Sequence, residues 1–126
     1  MRARLFDWLR PLVVDRSTRT LIILSFILNA LAWALLLVRL WPLISAGRII
    51  ALHYSVYIGV DNVDYAWQSL LTPIFGLATF IANVVLSRVA YTRDRMITIT
   101  FMYLTLFYEL AVLVASAYVV LINLRT

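Results

Sequence analysis

Residues 49–64 read IIALHYSVYIGVDNVD, and the fold turns on whether this stretch is another membrane span or a piece of surface structure. From Leu52 to Val60 the sequence alternates. Leu52, Tyr54, Val56, Ile58 and Val60 share one parity; His53, Ser55, Tyr57 and Gly59 share the other. Successive strand residues point to opposite faces, so a period of two predicts a half-buried extended piece. Tyr, Val and Ile suit such a pleated surface. Gly59 followed by Val60, Asp61 and Asn62 predicts a turn. Arg48 and Asp61 bracket the stretch, and the residues between them fall short of the ~20 that cross a hydrocarbon core. An extended or hairpin segment is therefore expected over about residues 43–64, with Tyr54 and Val56 turned towards helix ends.

Working outward, apolar runs flank this segment. Thr20 to Val38 is interrupted only by Ser25 and Asn29. It predicts a first span over about 20–40, with Trp41 and Pro42 marking its exit as interfacial aromatic and helix stop. The run is too long for the apolar region of a secretory signal, and Ile44-Ser45-Ala46 is a poor cleavage site. On the other side, Asp61 is an expected helix cap, with Asp64 at the third position. A second span is predicted over about 66–88, entered through Tyr65 and Trp67. Pro73 removes one backbone donor and predicts a kink near Ser69 to Pro73. Val89 to Met96 predicts a short polar turn, and about 97–122 a third span.

Ahead of all this, residues 1–19 interleave Arg2, Arg4, Arg10, Arg16 and Arg19 with Leu5, Phe6, Trp8 and Leu9. The pattern predicts an amphipathic helix lying at the headgroups and broken at Pro11, or else a frayed basic tail. Asp15 and Ser17 are both candidate caps for the first span. The expected architecture is an all-α membrane protein: one integral membrane domain over residues 1–126, with three spans, an N-terminal amphipathic segment and an extended external segment.

Composition narrows the chemistry. The chain has 126 residues, 64% of them hydrophobic, no cysteine and one histidine. Thiol catalysis, disulfides and multi-histidine metal sites are excluded. No phosphate-binding glycine loop, no Ser-His-Asp set and no carboxylate pair is present, so no enzyme activity is predicted. The net charge of +5 does not predict nucleic-acid binding, because the arginines cluster at the ends of apolar runs. That placement is a topology signal. Eight arginines flank the predicted N-terminal side (Arg2, Arg4, Arg10, Arg16, Arg19, Arg88, Arg93 and Arg95) and three the other (Arg39, Arg48 and Arg125). The N-terminus is expected in the cytoplasm; the segment around Tyr57 and the C-terminus are expected outside.

Asn29, Asn83 and Glu109 stand out among the polar side chains inside the predicted spans. Glu109 is the only glutamate. In hydrocarbon it must face protein or water and find a partner, and burial favours the neutral acid. Asn29 lies ~15 Å from Arg19, Asn83 ~12 Å from Tyr91, and Glu109 ~15–20 Å from the same boundary. Asn29, Asn83 and Glu109 are therefore an expected polar cluster, acting as interhelical glue or, alternatively, with Glu109 carrying a proton or cation. His53 is expected near the outer interface, bonded to a loop carbonyl. One imidazole also suffices as axial ligand to a haem or chlorophyll-type tetrapyrrole; no other cofactor and no metal is predicted. Ala78/Ala82 and Ala111/Ala115 have the small-residue spacing of close helix approach.

Leu52-His53-Tyr54-Ser55-Val56-Tyr57-Ile58-Gly59-Val60-Asp61 resembles the LHYNIYFGID-like segment of a family of small bacterial membrane proteins. Their pattern is similar to a first span, this external segment, a proline-containing second span ending near an asparagine, and a third span. Pro73 and Asn83 match in type and order; Ser55 departs from the usual asparagine, and the basic N-terminus is longer. The resemblance implies a three-span protein of the bacterial inner membrane, marks His53, Tyr54, Tyr57, Gly59 and Asp61, and implies no activity. The expected function is a non-catalytic accessory subunit of a larger membrane complex, its partners being lipid and other membrane subunits. The alternatives are a small homo-oligomeric ion or proton conductor lined by Glu109, and a pigment- or haem-binding subunit using His53.

Overall fold

Apolar residues dominate every long segment, and the helices they build are inside out relative to a soluble bundle. A computed structural model describes residues 2–124; for Arg2, Tyr54, Ser55, Val60, Asp61 and Asn62 it describes the backbone alone. The elements are α1 (Arg2–Val14), α2 (Arg16–Ser45), β1 (Ile49–Ser55), β2 (Gly59–Tyr65), a 3-10 helix (Ala66–Leu70), α3 (Leu71–Tyr91) and α4 (Arg95–Leu124). Arg16–Ser45, Ala66–Tyr91 and Arg95–Leu124 are each long and apolar enough to cross a membrane.

The buried positions of α2 are Thr18, Leu21, Ser25, Asn29, Ala32, Leu36 and Leu40. Those of α4 are Thr98, Met102, Thr105, Glu109, Val112, Ser116 and Val120. Steps of three and four place each set on one helical stripe. Polar groups crowd these stripes, while Phe26, Leu31, Phe75, Ile81, Leu104 and Phe107 face outward. Lipid tails solvate such side chains as well as a core would, so the interior is free to hold the groups that bind helices together.

Asp15 fixes how the helices meet. It caps α2, its Oδ1 accepting from Ser17 N (3.1 Å) and Thr18 N (3.4 Å). Its Oδ2 accepts from Tyr91 Oη at the end of α3 (3.2 Å) and from Arg95 Nε at the start of α4. The starts of α2 and α4 and the end of α3 thus share one end, termed the turn end. At the other, the hairpin end, Asn123 of α4 clamps β1: Ala51 N donates to its Oδ1 (2.9 Å) and its Nδ2 donates to Ala51 O (2.7 Å). α2 and α4 therefore run parallel and α3 runs against them. Leu36, Leu40, Ile50, Ala66 and Val120 close the core beneath the hairpin.

Several expectations need correction. The helix of the N-terminal segment does not break at Pro11; α1 continues to Val14. Leu12 is fully buried, and Arg88 Nε donates to Trp8 O, in the turn that Pro11 disturbs, with the guanidinium 5.5 Å from the Trp8 ring centre. Pro42 does not stop α2 either. A helix tolerates one missing donor where packing holds it, as Leu40, Leu43 and Ile44 do here. The stop is Gly47, at φ +64°, with Arg48 N bonded to Leu43 O (3.0 Å) and Gly47 N to Ile44 O (3.1 Å), a Schellman ending.

Of the two expected forms, extended or hairpin, the alternating stretch takes the antiparallel hairpin, so the period-two run from Leu52 to Val60 is not a single strand. Its turn is Val56–Ile58, closed by Gly59 at φ +83°, while residues 60–62 predicted as turn belong to β2. Gly59 supplies the left-handed residue that a three-residue loop needs. The register shifts around His53, so the period-two phase does not carry through. Val56 is in the exposed turn instead of facing a helix end, and the side chain of Tyr54 lies outside the described residues. Asp61, in β2, does not cap the next helix; the segment after Tyr65 opens as a 3-10 turn without a side-chain cap. Pro73 falls in the first turn of α3, where its missing N–H has no intrahelical acceptor. The expected kink is thus a change from 3-10 to α geometry at Leu71.

Candidate functional site

The deepest polar contact joins two helices far apart in sequence. Asn29 Nδ2 donates to Glu109 Oε2 (2.9 Å) and to the backbone carbonyl of Pro73 (3.2 Å). Glu109 is completely buried. Gly76 of α3 makes the fit possible: a Cβ there would lie 2.8 Å from Asn29 Nδ2, 3.1 Å from Glu109 Oε2 and 3.2 Å from Val112 Cγ1. Each of the three helices thus contributes one part, an amide, a carboxyl and the space between them.

Asn83 does not join this pair. Its Nδ2 donates to Thr105 Oγ1 (2.8 Å), and Thr105 Oγ1 donates to Phe101 O (2.8 Å). Thr105 lies one turn from Glu109 on the same stripe, about 6 Å nearer the turn end. The expected cluster of Asn29, Asn83 and Glu109 is therefore two adjacent layers. A third layer follows towards the turn end, where Thr98 Oγ1 donates to Ser87 O (2.9 Å).

Four buried side-chain atoms have no hydrogen-bond partner among the described residues: Thr18 Oγ1, Ser25 Oγ, Ser87 Oγ and Glu109 Oε1. Their positions follow a pattern. Asn29 lies eleven residues after Thr18, Gly76 eleven before Ser87 and Glu109 eleven after Thr98, about 16 Å along each helix. All four atoms lie between these two levels. Beyond Glu109, towards the hairpin, the stripe holds Ala32, Leu36, Leu40, Val112 and Val120, and the buried hydroxyls of this half, Ser116 and Ser69, donate to Val112 O (2.8 Å) and Ala66 O (2.7 Å). Helical side chains lean towards the N-terminus of their own helix. For α2 and α4 that direction is the turn end, so Ser25, Asn29 and Glu109 all lean into the polar half.

The external-segment residues are far from this site. His53 is exposed on β1, opposite Asn62 in the register. Tyr57 lies at the hairpin tip, and Gly59 serves the turn. The side chains of Tyr54 and Asp61 lie outside the described residues. Sequence reading missed Ser25, Ser87, Gly76 and Asn123. The steps Thr18, Ser25, Asn29 and Thr98, Thr105, Glu109 carried a signal, since a step of seven followed by four keeps one stripe. Gly76 carried none, because its role depends on which residues face it.

No protein-family model matches the chain, and neither does any curated protein or solved structure.

Proposed function

We propose that the protein is a non-catalytic accessory subunit of a multi-subunit bacterial membrane complex. In this reading it sits in the inner membrane, N-terminus inside and hairpin outside, with α1 along the inner headgroups. The excess of arginine at the turn end supports that orientation. One observation carries the function: a hairpin hydrogen-bonded and packed at its base and apolar at its tip. Two strands alone are marginally stable, and here Asn123 and the Leu36–Leu40–Val120 cluster secure β1. The tip residues Val56, Tyr57 and Ile58 are 88%, 97% and 78% exposed. Three consecutive exposed apolar residues on a braced element suit burial against another protein.

The test is a photo-crosslinking residue at Tyr57, with mild solubilisation and identification of the attached chain. One membrane protein attached at fixed stoichiometry, and lost in Asn123→Leu, is the expected result. Cross-links to lipid alone, with the chain purifying by itself, would end the reading. A conductor lined by Glu109 is less well supported, because conduction needs a polar path through both halves and the hairpin half is filled by Leu36, Leu40 and Val120.

A further inference from the structure

Glu109 is bonded through one oxygen only, and the group its other oxygen needs is not supplied by the described residues. Oε2 accepts from Asn29; Oε1 is buried without a partner. Neither protonation state removes the problem. A carboxylate Oε1 requires a donor, and a protonated Oε1–H requires an acceptor. An unsatisfied polar group at this depth is costly. The next buried side chain towards the turn end on α2 is Ser25, also unpartnered; beyond it, past Leu21 of α2 and Met102 of α4, are the unpartnered Ser87 and Thr18. These hydroxyls each offer a donor and acceptors, spaced by one to three helical turns along the bundle. Water is the group suited to bridge such intervals where the helices leave room for it, because each molecule takes part in two to four hydrogen bonds. Towards the hairpin the corresponding positions of α2 are Ala32, Leu36 and Leu40, and the buried hydroxyls of that half, Ser69 and Ser116, already donate to Ala66 O and Val112 O.

We propose that Glu109 is a proton-binding site with access from one side: water reaches Oε1 from the turn end past Thr18, Ser87 and Ser25, and the hairpin half stays closed. When the site empties, the Oε1–H bond breaks, its electron pair stays on oxygen and the proton passes to water. Asn29 Nδ2 remains as donor to the carboxylate. No charged neighbour competes, and the tyrosines of α4, Tyr103, Tyr108 and Tyr118, are exposed on its outer face. The elements packed around Glu109 bring Asn29 and Ser25 from α2 and Pro73 and Gly76 from α3. The charged residues of these helices are Arg16, Arg19 and Arg39 of α2, Arg88 of α3 and Arg95 of α4, each ten or more residues from that level. This inference is independent of the accessory-subunit reading and requires no partner.

Two features of the composition make the site testable. Glu109 is the only glutamate, so carboxyl-¹³C glutamate labels this side chain alone in unaltered protein. In sealed proteoliposomes, infrared difference spectra should show its labelled carboxyl band converting to carboxylate when pH is raised on the turn side, and not when it is raised on the hairpin side. The chain also lacks cysteine, so Ser25→Cys, Ser87→Cys and Leu36→Cys each carry a unique thiol. A small charged methanethiosulfonate should modify the first two from the side that labels Arg93→Cys, at least ~10-fold faster than Leu36→Cys, since only a hydrated thiol ionises and reacts. Orientation is read from Arg93→Cys against Tyr57→Cys. The proposal is overturned if the labelled carboxyl ignores pH on both sides or responds from the hairpin side. It is equally overturned if Ser25→Cys and Ser87→Cys react as slowly as Leu36→Cys. Should a cysteine variant misfold, the infrared experiment on the unaltered protein still decides.

Discussion

The two halves of the helix bundle solve one packing problem with different chemistry. Towards the turn end the stripe between the helices is Thr18, Ser25, Asn29, Asn83, Ser87, Thr98, Thr105 and Glu109, with Leu21 and Met102 among them; towards the hairpin it is Ala32, Leu36, Leu40, Val112 and Val120, with only Ser69 and Ser116 as hydroxyls, each bonded to a carbonyl of its own segment. Both halves face the same lipid on the outside, so the environment does not explain the contrast. In lipid there is no hydrophobic force between helices, and they associate through close packing and hydrogen bonds. The polar half uses directed bonds, which fix which helix faces which. The apolar half uses packing, and it also seats a β-hairpin, which Asn123 clamps at its edge. The asymmetry therefore follows from what each half has to hold.

Truncation in the packed half should have the largest effect. Leu36 is fully buried beneath the hairpin, and Leu36→Ala leaves a cavity there. A loss of about 2–4 kcal/mol is expected, measurable as a fall in the unfolding midpoint in detergent, with protease nicking of the hairpin at lower denaturant. If the loss is no larger than for a lipid-facing change such as Leu104→Ala, the apolar half is not packed as described.

The polar half should respond to chemistry more than to volume. Gly76→Ala places a methyl group within contact of Asn29 and Glu109, and overpacking of this kind costs about 1–3 kcal/mol. Glu109→Leu removes the acceptor of Asn29 Nδ2 and should loosen the bundle by about 1 kcal/mol. Glu109→Gln should be nearly neutral, because an amide replaces a protonated acid as donor and acceptor. Unfolding in a denaturant series should rank Gly76→Ala lowest and Glu109→Gln closest to the parent. Equal losses in Glu109→Leu and Glu109→Gln would show that shape matters in this half as much as in the other.

How much of this was legible in the sequence differs along the chain. Span number and order follow from apolar run length, which is a local property. Asp15 as helix cap was readable, since capping depends on a side chain and backbone two or three residues away. Prolines misled, because Pro11, Pro42 and Pro73 each remove one donor, and whether that ends a helix depends on packing the local sequence does not show. Gly47, not Pro42, was the stop. Among polar residues, depth counting put Asn29, Asn83 and Glu109 at comparable levels. A difference of one helical turn then decided that Asn29 reaches Glu109 and Asn83 reaches Thr105. Rise per residue gives depth to about a turn; rotation about the axis, which selects the partner, comes from all three helices at once.

The smallest expected effect lies at the mouth of the polar half, where it is set by pH. The ion-paired bond from Arg95, helped by the bonds from Thr18 N and Tyr91, holds the Asp15 carboxyl at about 2, below its ordinary 3.8. A carboxyl lower in the folded than in the unfolded chain binds fewer protons when folded. Its contribution to stability is therefore complete above pH 3.8 and is lost as pH falls through that value to about 2. The effect is modest because Arg95 is half exposed and water screens the pair. Other aspartates titrate in the same range, so the measurement needs a reference that isolates this one. Asp15→Asn provides it: asparagine keeps an oxygen for Ser17 N and Thr18 N and remains a good cap, but it has no charge for Arg95. The unfolding midpoints of parent and variant should differ at neutral pH and converge between pH 3.8 and about 2. A constant difference down to the acid limit would mean that Asp15 joins α2 to α4 through its shape as a cap, and that the ion pair at this end of the bundle contributes nothing.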